Sequence, residues 1–239
     1  MHWSDDGIVL AARPHGETGA IVQLLTRDHG RHAGLLRGGQ GRRARGLLQP
    51  GNLVAAEWSG RLAEHLGTYA CELVTAYAAR VLDDPDRLAA LSAAAAVCEG
   101  ALPEREPHAP CFEGLRALLE ELPGDHWAEV YVHWELAVLS ELGFGLDLAK
   151  CAAGGANDQL AYVSPKSGRA VSLAAGEPYR DKLLALPGFL AGRGGGGPDE
   201  VGQGLALTGL FLERFVFAPH HKPLPARRWR AAGRFPAPA

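Results

Sequence analysis

The residues best placed to do chemistry are arginines. Positions 37–46 hold four of them, Arg37, Arg42, Arg43 and Arg45, together with four glycines and no acid. Arginine's planar fork of N–H donors matches phosphate oxygens in pairs. Glycine lets a backbone bend close to a polyanion and stay mobile. The stretch therefore reads as a flexible cationic strap, disordered until it meets its ligand. Across positions 27–46 six arginines face Asp28 alone, a local charge of +5 in a chain whose net charge is −3. A charge run is most often a solvated face, but this concentration of one sign points to a nucleic-acid contact. Arg31 on the adjoining strand joins the set, and Arg227, Arg228 and Arg230 in the carboxy-terminal tail form a second patch.

Charge is partitioned along the chain. Residues 1–80 carry +2, residues 81–219 carry −10 and residues 220–239 carry +5. An acidic middle would be repelled by phosphate, so nucleic acid does not cover the whole surface. One part grips an anion, and the rest packs or binds proteins. Hydrophobic residues make up 47% and charged residues 21% of the 239, as in ordinary globular proteins.

Other chemistries lack their motifs. There is no G-x-x-x-x-G-K-[ST] loop for a nucleotide, no G-x-S-x-G elbow and no H-E-x-x-H pair. His220 and His221 are adjacent and read as a solvated pair. Cys71, Cys98, Cys111 and Cys151 stand far apart with no C-x-x-C spacing, which fits reduced thiols in the cytoplasm. The start reads as lacking a secretory leader, and the apolar run 88–98 falls short of the roughly 20 residues that cross a bilayer. No catalytic residue, metal or cofactor is assigned, and no membrane is expected.

The elements that position the arginines come first in the chain. Residues 7–13, 20–26, 31–37, 52–58 and 67–74 read as five short strands separated by turn signals, which suits a small barrel. A five-stranded Greek-key barrel of the OB type is a common platform for single-stranded nucleic acid. Aromatics are few here, Trp3, Trp58, Tyr69 and Tyr77, and one or more should fill the core. Binding should then rest on arginine and phosphate.

Beyond residue 78 the pattern is helical. Asp84-Pro85 starts one helix that Gly100 stops. Phe112, Leu115, Leu118, Leu119 and Leu122 form a second stripe, and Trp127, Val130, Tyr131, Trp134 and Val138 a third, read as core. Residues 144–176 read as a hairpin-like insert. Helices resume near 178 and over 199–217, with 192–197 a plain loop between them. The tail 219–239 is basic and proline-rich, its end expected to be disordered. The class is α+β, with a nucleic-acid-binding barrel over 1–79 and a helical domain over 80–239.

Several segments resemble the bacterial RecO DNA-repair family. These are Asp6-Gly7-Ile8-Val9-Leu10, Gly16-Glu17-Thr18, Leu24 to Gly30, Leu35-Leu36-Arg37-Gly38-Gly39, Leu47-Leu48-Gln49-Pro50-Gly51, Leu142 to Asp147, Tyr162 to Gly168 and Pro223 to Arg228. The likeness runs in order along nearly the whole chain. It implies an OB-fold amino-terminal domain, a helical body and a small zinc-ribbon-like insert. It also implies binding of single- and double-stranded DNA, strand annealing, and action with RecR, and sometimes RecF, to help RecA displace the single-strand-binding protein. The insert departs from the pattern. Cys151 is followed by Ala152, Ala153 and Gly154, and residues 168–172 hold no cysteine. Tetrahedral zinc needs four ligands, so packing and turns must hold this insert.

Two classes of function follow. In one the chain is a non-catalytic recombination mediator, cytoplasmic and nucleoid-associated, whose cationic surface holds two strands loosely and leaves their base edges free to pair. In the other it is an RNA-binding or adaptor protein, or a small-molecule enzyme, in which the acidic body does the work. Phosphate contacts alone do not separate DNA from RNA.

Overall fold

Strand β1 (His2–His15) pairs antiparallel with both β2 (Gly19–Thr26) and β4 (Leu53–Ser59). That double pairing closes a five-stranded barrel in the order β1-β2-β3-β5-β4, with β3 at Gly30–Leu36 and β5 at Thr68–Thr75. Only β3 and β5 run parallel, meeting at Leu35↔Thr68 and Leu36↔Tyr69. The expected five strands and OB-type architecture are present. The computed structural model describes residues 1–62, 64–154 and 157–235, so the expected disorder of the last residues, 236–239, lies outside the described residues.

Alternation sets the core. Val22 and Leu24 on β2, and Val54, Ala56 and Trp58 on β4, point inward at period two and are at most 1% exposed. Trp58 donates its indole N–H to the Leu66 carbonyl at 3.0 Å. Tyr69 and Tyr77 are also buried, so aromatics do fill the core. Trp3, half-buried, stacks on His29 with ring centroids 4.1 Å apart. His32 meets the Trp58 ring edge-on at 5.1 Å, and its Nδ1 lies 2.9 Å from the Ala33 carbonyl. Burial holds the His32 pKa below the usual histidine value.

The proline-rich connector after residue 102 docks on the barrel. The Arg105 N–H donates to the Arg31 carbonyl at 2.9 Å. Gly30 has φ of +66°, and a Cβ there would lie 2.0 Å from the Glu106 carbonyl oxygen, so the approach requires glycine.

A short helix α1 (Arg42–Leu47) separates β3 from β4, and a single turn α2 (Tyr77–Arg80) follows β5. Helix α3 (Pro85–Ala101) is capped by Asp84, whose carboxylate accepts from the backbone N–H groups of Asp86 and Arg87, with Pro85 in the first turn as the sequence predicts. In α4 (Ala109–Glu121) the stripe Phe112, Leu115, Leu118 and Leu119, continued by Leu122, is at most 2% exposed. By contacts the chain forms two compact units, Met1–Pro123 and Gly124–Ala239. The composition changes near residue 80, whereas this packing boundary falls after α4.

The second unit begins with α5 (Trp127–Glu141), which buries Tyr131, Trp134 and Val138 as expected and leaves Trp127 and Val130 half-buried. The insert is a three-stranded sheet, β7-β6-β8, from β6 (Leu160–Val163), β7 (Ala170–Ser172) and β8 (Leu184–Ala185), with the turn α6 (Leu173–Gly176) between the last two. Its sheet runs one strand beyond the predicted end at 176. Cys151 Sγ accepts from the Ser172 N–H at 3.2 Å, and the Ala152 N–H donates to the Ala170 carbonyl at 2.8 Å. Backbone bonds and packing thus hold the insert together. The glycine loop at 192–197 is more than a connector. Gly188 and Gly196 donate N–H groups to the Glu200 carboxylate at 3.0 and 2.6 Å.

Helix α7 (Pro198–Phe211) runs on through a π-helical turn, Leu212–Phe217. The stretch Pro198–His220 is 23 residues long and apolar enough to cross a membrane by length and composition, so it exceeds the 88–98 run. Its most apolar window is 61% buried within the structure, as in a core helix. Helix α8 (Ala226–Ala232) closes the unit.

Arg228 on α8 is 1% exposed and reaches Glu135 on α5, itself fully buried. Nε and Nη2 contact the two carboxylate oxygens at 2.9 and 2.8 Å. The second nitrogen also donates to the Leu205 carbonyl at 2.5 Å, and the Thr208 hydroxyl donates to the carboxylate. A Cβ at Gly209 would lie 2.8 Å from the guanidinium, so the missing side chain makes its room. Burial opposes the charged form of Arg228, and the Glu135 charge outweighs it, leaving the pKa raised. Arg228, expected in the tail patch, is therefore a structural residue and not a phosphate ligand.

Removing one partner of a buried ion pair leaves the other uncompensated. Arg228→Ala should cost about 3–5 kcal/mol of stability by urea unfolding, whereas Arg227→Ala should change it by under about 0.5 kcal/mol. Equal midpoints for the two variants would contradict this assignment. The His32 environment sets a second expectation. The folded state favours neutral imidazole, while the unfolded chain takes up its proton near 6.5, so stability falls as pH drops below 6.5. The melting temperature of His32→Phe should lose less than the native chain's between about pH 7.5 and about pH 5.5.

Candidate nucleic-acid interface

The basic stretch is a built element and not an irregular strap. After β3 the chain turns at Gly38, and the Gln40 N–H donates to the Thr18 carbonyl at 3.0 Å. The Gln40 side-chain amide donates to the Gly16 and Gly19 carbonyls at 3.0 and 2.9 Å, fixing the stretch to the β1–β2 turn. Helix α1 then starts after Gly41, with Arg45 N–H bonded to the Gly41 carbonyl. Its apolar side, Ala44 and Leu47, packs on the barrel core, and Leu48 follows at 6% exposure. At its end the Asn52 amide donates to the Gly46 and Leu47 carbonyls at 2.9 and 3.3 Å, while its oxygen accepts from the Ala78 N–H. The expectation of a flexible strap is corrected for this reason: burial and side-chain hydrogen bonds satisfy its backbone.

With the apolar side turned inward, Arg42, Arg43 and Arg45 project outward, and Arg37 stands exposed at the end of β3. None of the four makes an ion pair among the described residues. The Arg45 Nε donates to the Gln40 carbonyl at 3.2 Å, which holds that side chain over the loop. The first turn of α1 carries no acid, so no carboxylate within that turn offsets the charges of Arg42 and Arg43.

Several other arginines of the first unit are engaged. Arg13 meets Glu99 at 2.5 Å and Arg27 meets Glu113 at 3.1 Å. Arg31, placed by the sequence in the binding set, donates to the Leu102 carbonyl at 2.8 Å and meets Glu104 at 3.2 Å, with its side chain 12% exposed. It pins the connector to β3 through these two contacts. Arg31 thus differs from the four outward arginines in being engaged by the connector. In the second unit Arg227 and Arg230 are exposed on α8, with no ion pair among the described residues. Arg228, between them, is buried as described above.

Asn52 and Gln40 were not singled out from the sequence, although they shape the site. Their signal was weak, since a polar residue beside a Pro-Gly or Gly-rich turn is ordinary.

Another face of the barrel has the opposite charge. A cavity of about 390 Å³ is lined by Asp5, Asp6, Glu57 and Glu72, from β1, β4 and β5. Phosphate is repelled there. Burial pushes the Cys71 thiol up to about 11 and the Cys98 thiol well above its usual value, so neither is an available thiolate near neutrality. His220 and His221 are exposed. Among the described residues no group of three or more His, Cys, Asp or Glu side chains could hold a metal ion.

Comparison with known proteins places this architecture. The family model for the Recombination protein O N terminal region matches residues 1–77, and that for the Recombination protein O C terminal region matches residues 82–224. The DNA repair protein RecO of Rhodospirillum centenum is 61% identical over 237 residues, covering 98% of this chain and 95% of the relative. RecO of Rhodospirillum rubrum is 51% identical, covering 98% of this chain and all of the relative. RecO of Phenylobacterium zucineum is 54% identical over 232 residues, covering 96% of each. Two family models that together match residues 1–77 and 82–224, and relatives 51–61% identical over nearly the whole chain, show that this chain belongs to the RecO family.

Proposed function

We propose that the chain is a non-catalytic recombination mediator. It binds single- and double-stranded DNA, anneals complementary strands and, with RecR and RecF, helps RecA load onto DNA coated with single-strand-binding protein. It acts in the cytoplasm, associated with the nucleoid. The barrel module, 1–79, supplies the main DNA contact, and the helical body, 80–239, supplies the tail patch and protein contacts. The observation that carries this reading is the outward set Arg37, Arg42, Arg43 and Arg45, with no carboxylate partner among the described residues. Arg227 and Arg230 are its counterpart on α8.

Annealing follows from the same charges. Two strands brought together repel through their phosphates, and guanidinium groups lower that repulsion without a bond being made or broken. Because α1 holds its arginines on a fixed turn, less ordering is needed when phosphate arrives.

Neutralising roughly four to six phosphates should make log K for a single strand fall with log salt at a slope of about −3 to −4. Replacing Arg42, Arg43 and Arg45 by alanine should make that slope shallower by about 2, because each lost contact removes about 0.7. The triple variant should change unfolding stability by less than about 1 kcal/mol, since exposed charges contribute little. Annealing of oligonucleotides coated with single-strand-binding protein should fall together with binding. A salt-independent affinity, or no binding to an oligonucleotide at low salt, would favour the adaptor reading; annealing that survives the triple substitution would remove α1 as the DNA contact, and an equal loss of stability would make α1 purely structural.

A further inference from the structure

Of the chain's five tryptophans, Trp58 and Trp134 are buried and Trp3 and Trp127 half-buried, but Trp229 is 50% exposed. It lies on α8 between Arg228 and Arg230. Helix α8 uses Arg228 and Ala231, together with Leu224 just before it, to face the interior. The remaining side of the helix presents Arg227, Trp229 and Arg230 to solvent. A large ring left half in water keeps apolar surface exposed.

The exposure is not a fraying end. Arg228, one residue away, is locked to Glu135 by two hydrogen bonds of 2.9 and 2.8 Å and to the Leu205 carbonyl on α7. Its guanidinium carbon also lies 6.0 Å from the Trp229 ring centroid. The buried clamp therefore fixes the backbone that carries the ring. An exposed ring on a helix that also carries two solvent-facing guanidinium groups can stack an unpaired base while those groups neutralise phosphates of the same strand.

We infer that Trp229 is a base-stacking platform for single-stranded DNA, with Arg227 and Arg230 contacting the flanking phosphates. This rests on the DNA-binding reading above and adds a contact that a purely electrostatic surface lacks. It gives the second unit a preference for single strands, because bases paired in a duplex do not offer an open face. Sequence preference stays slight, since every base has a π-face.

The test uses the full chain with two probes of equal length, oligo-dT and an abasic oligonucleotide that keeps the phosphates. Oligo-dT should quench intrinsic tryptophan fluorescence, and Trp229→Phe should remove most of that quench. Trp229→Ala should weaken oligo-dT binding by about 5- to 150-fold with an unchanged salt slope, and leave abasic binding as in the native chain. Circular dichroism and the urea midpoint of both variants should match the native protein, because half of the ring is already in water. An undiminished quench in Trp229→Phe, or the same dT-to-abasic ratio in Trp229→Ala as in the native chain, overturns the stacking site and leaves DNA binding through α1 standing. Failure of the native chain to bind either probe at low salt overturns both.

Discussion

Closure of the barrel by β1 is the interaction on which the first unit depends. By pairing with β2 along one edge and β4 along the other, β1 leaves no open edge in its part of the sheet and encloses Val9, Val22, Leu24, Val54 and Trp58. Helix α1 can form only against that enclosed surface. Six residues are too few to be helical in water by themselves. Ala44 and Leu47 packed on the barrel, with Gln40 and Asn52 bonding the backbone at either end, supply what propensity does not. The direction in which Arg42, Arg43 and Arg45 point is thus a consequence of barrel packing.

The arginines of this chain divide by what faces them. Arg228 is enclosed and bidentate to a carboxylate, Arg31 closes a connector onto a strand, and Arg42 and Arg43 are exposed with no ion pair among the described residues. A guanidinium keeps its charge in each setting, but its cost differs. In the interior the charge demands a partner and full hydrogen bonding. At the surface it costs little and remains available to an outside anion. The acidic face on β1, β4 and β5 repels the same anion and so limits which side of the barrel DNA can approach.

In the second unit a buried ion pair does a job that an apolar pair would do less specifically. Glu135, Thr208 and Arg228 join α5, α7 and α8 through directed bonds, so only one register of α8 satisfies them. Leucines could fill the space but would allow the helix to slide or turn. The fixed register leaves Arg227, Trp229 and Arg230 outside.

Local patterns in the sequence determined the element types. Asp84-Pro85 marks a helix start because a cap bonds backbone only two or three residues away, and the stripe from Phe112 to Leu122 marks its face by period alone. The five strands, the insert without zinc ligands and the family likeness were legible for the same reason. Tertiary structure alone decided which arginines are free. Glu104 lies 73 residues from Arg31 and Glu135 lies 93 residues from Arg228, so no local pattern announces either partner. The order of α1 was equally hidden, because its supports, Thr18 and Asn52 among them, come from turns that only the closed barrel brings together. Residue type and spacing set what each side chain could do, and long-range burial set whether it was left free to do it.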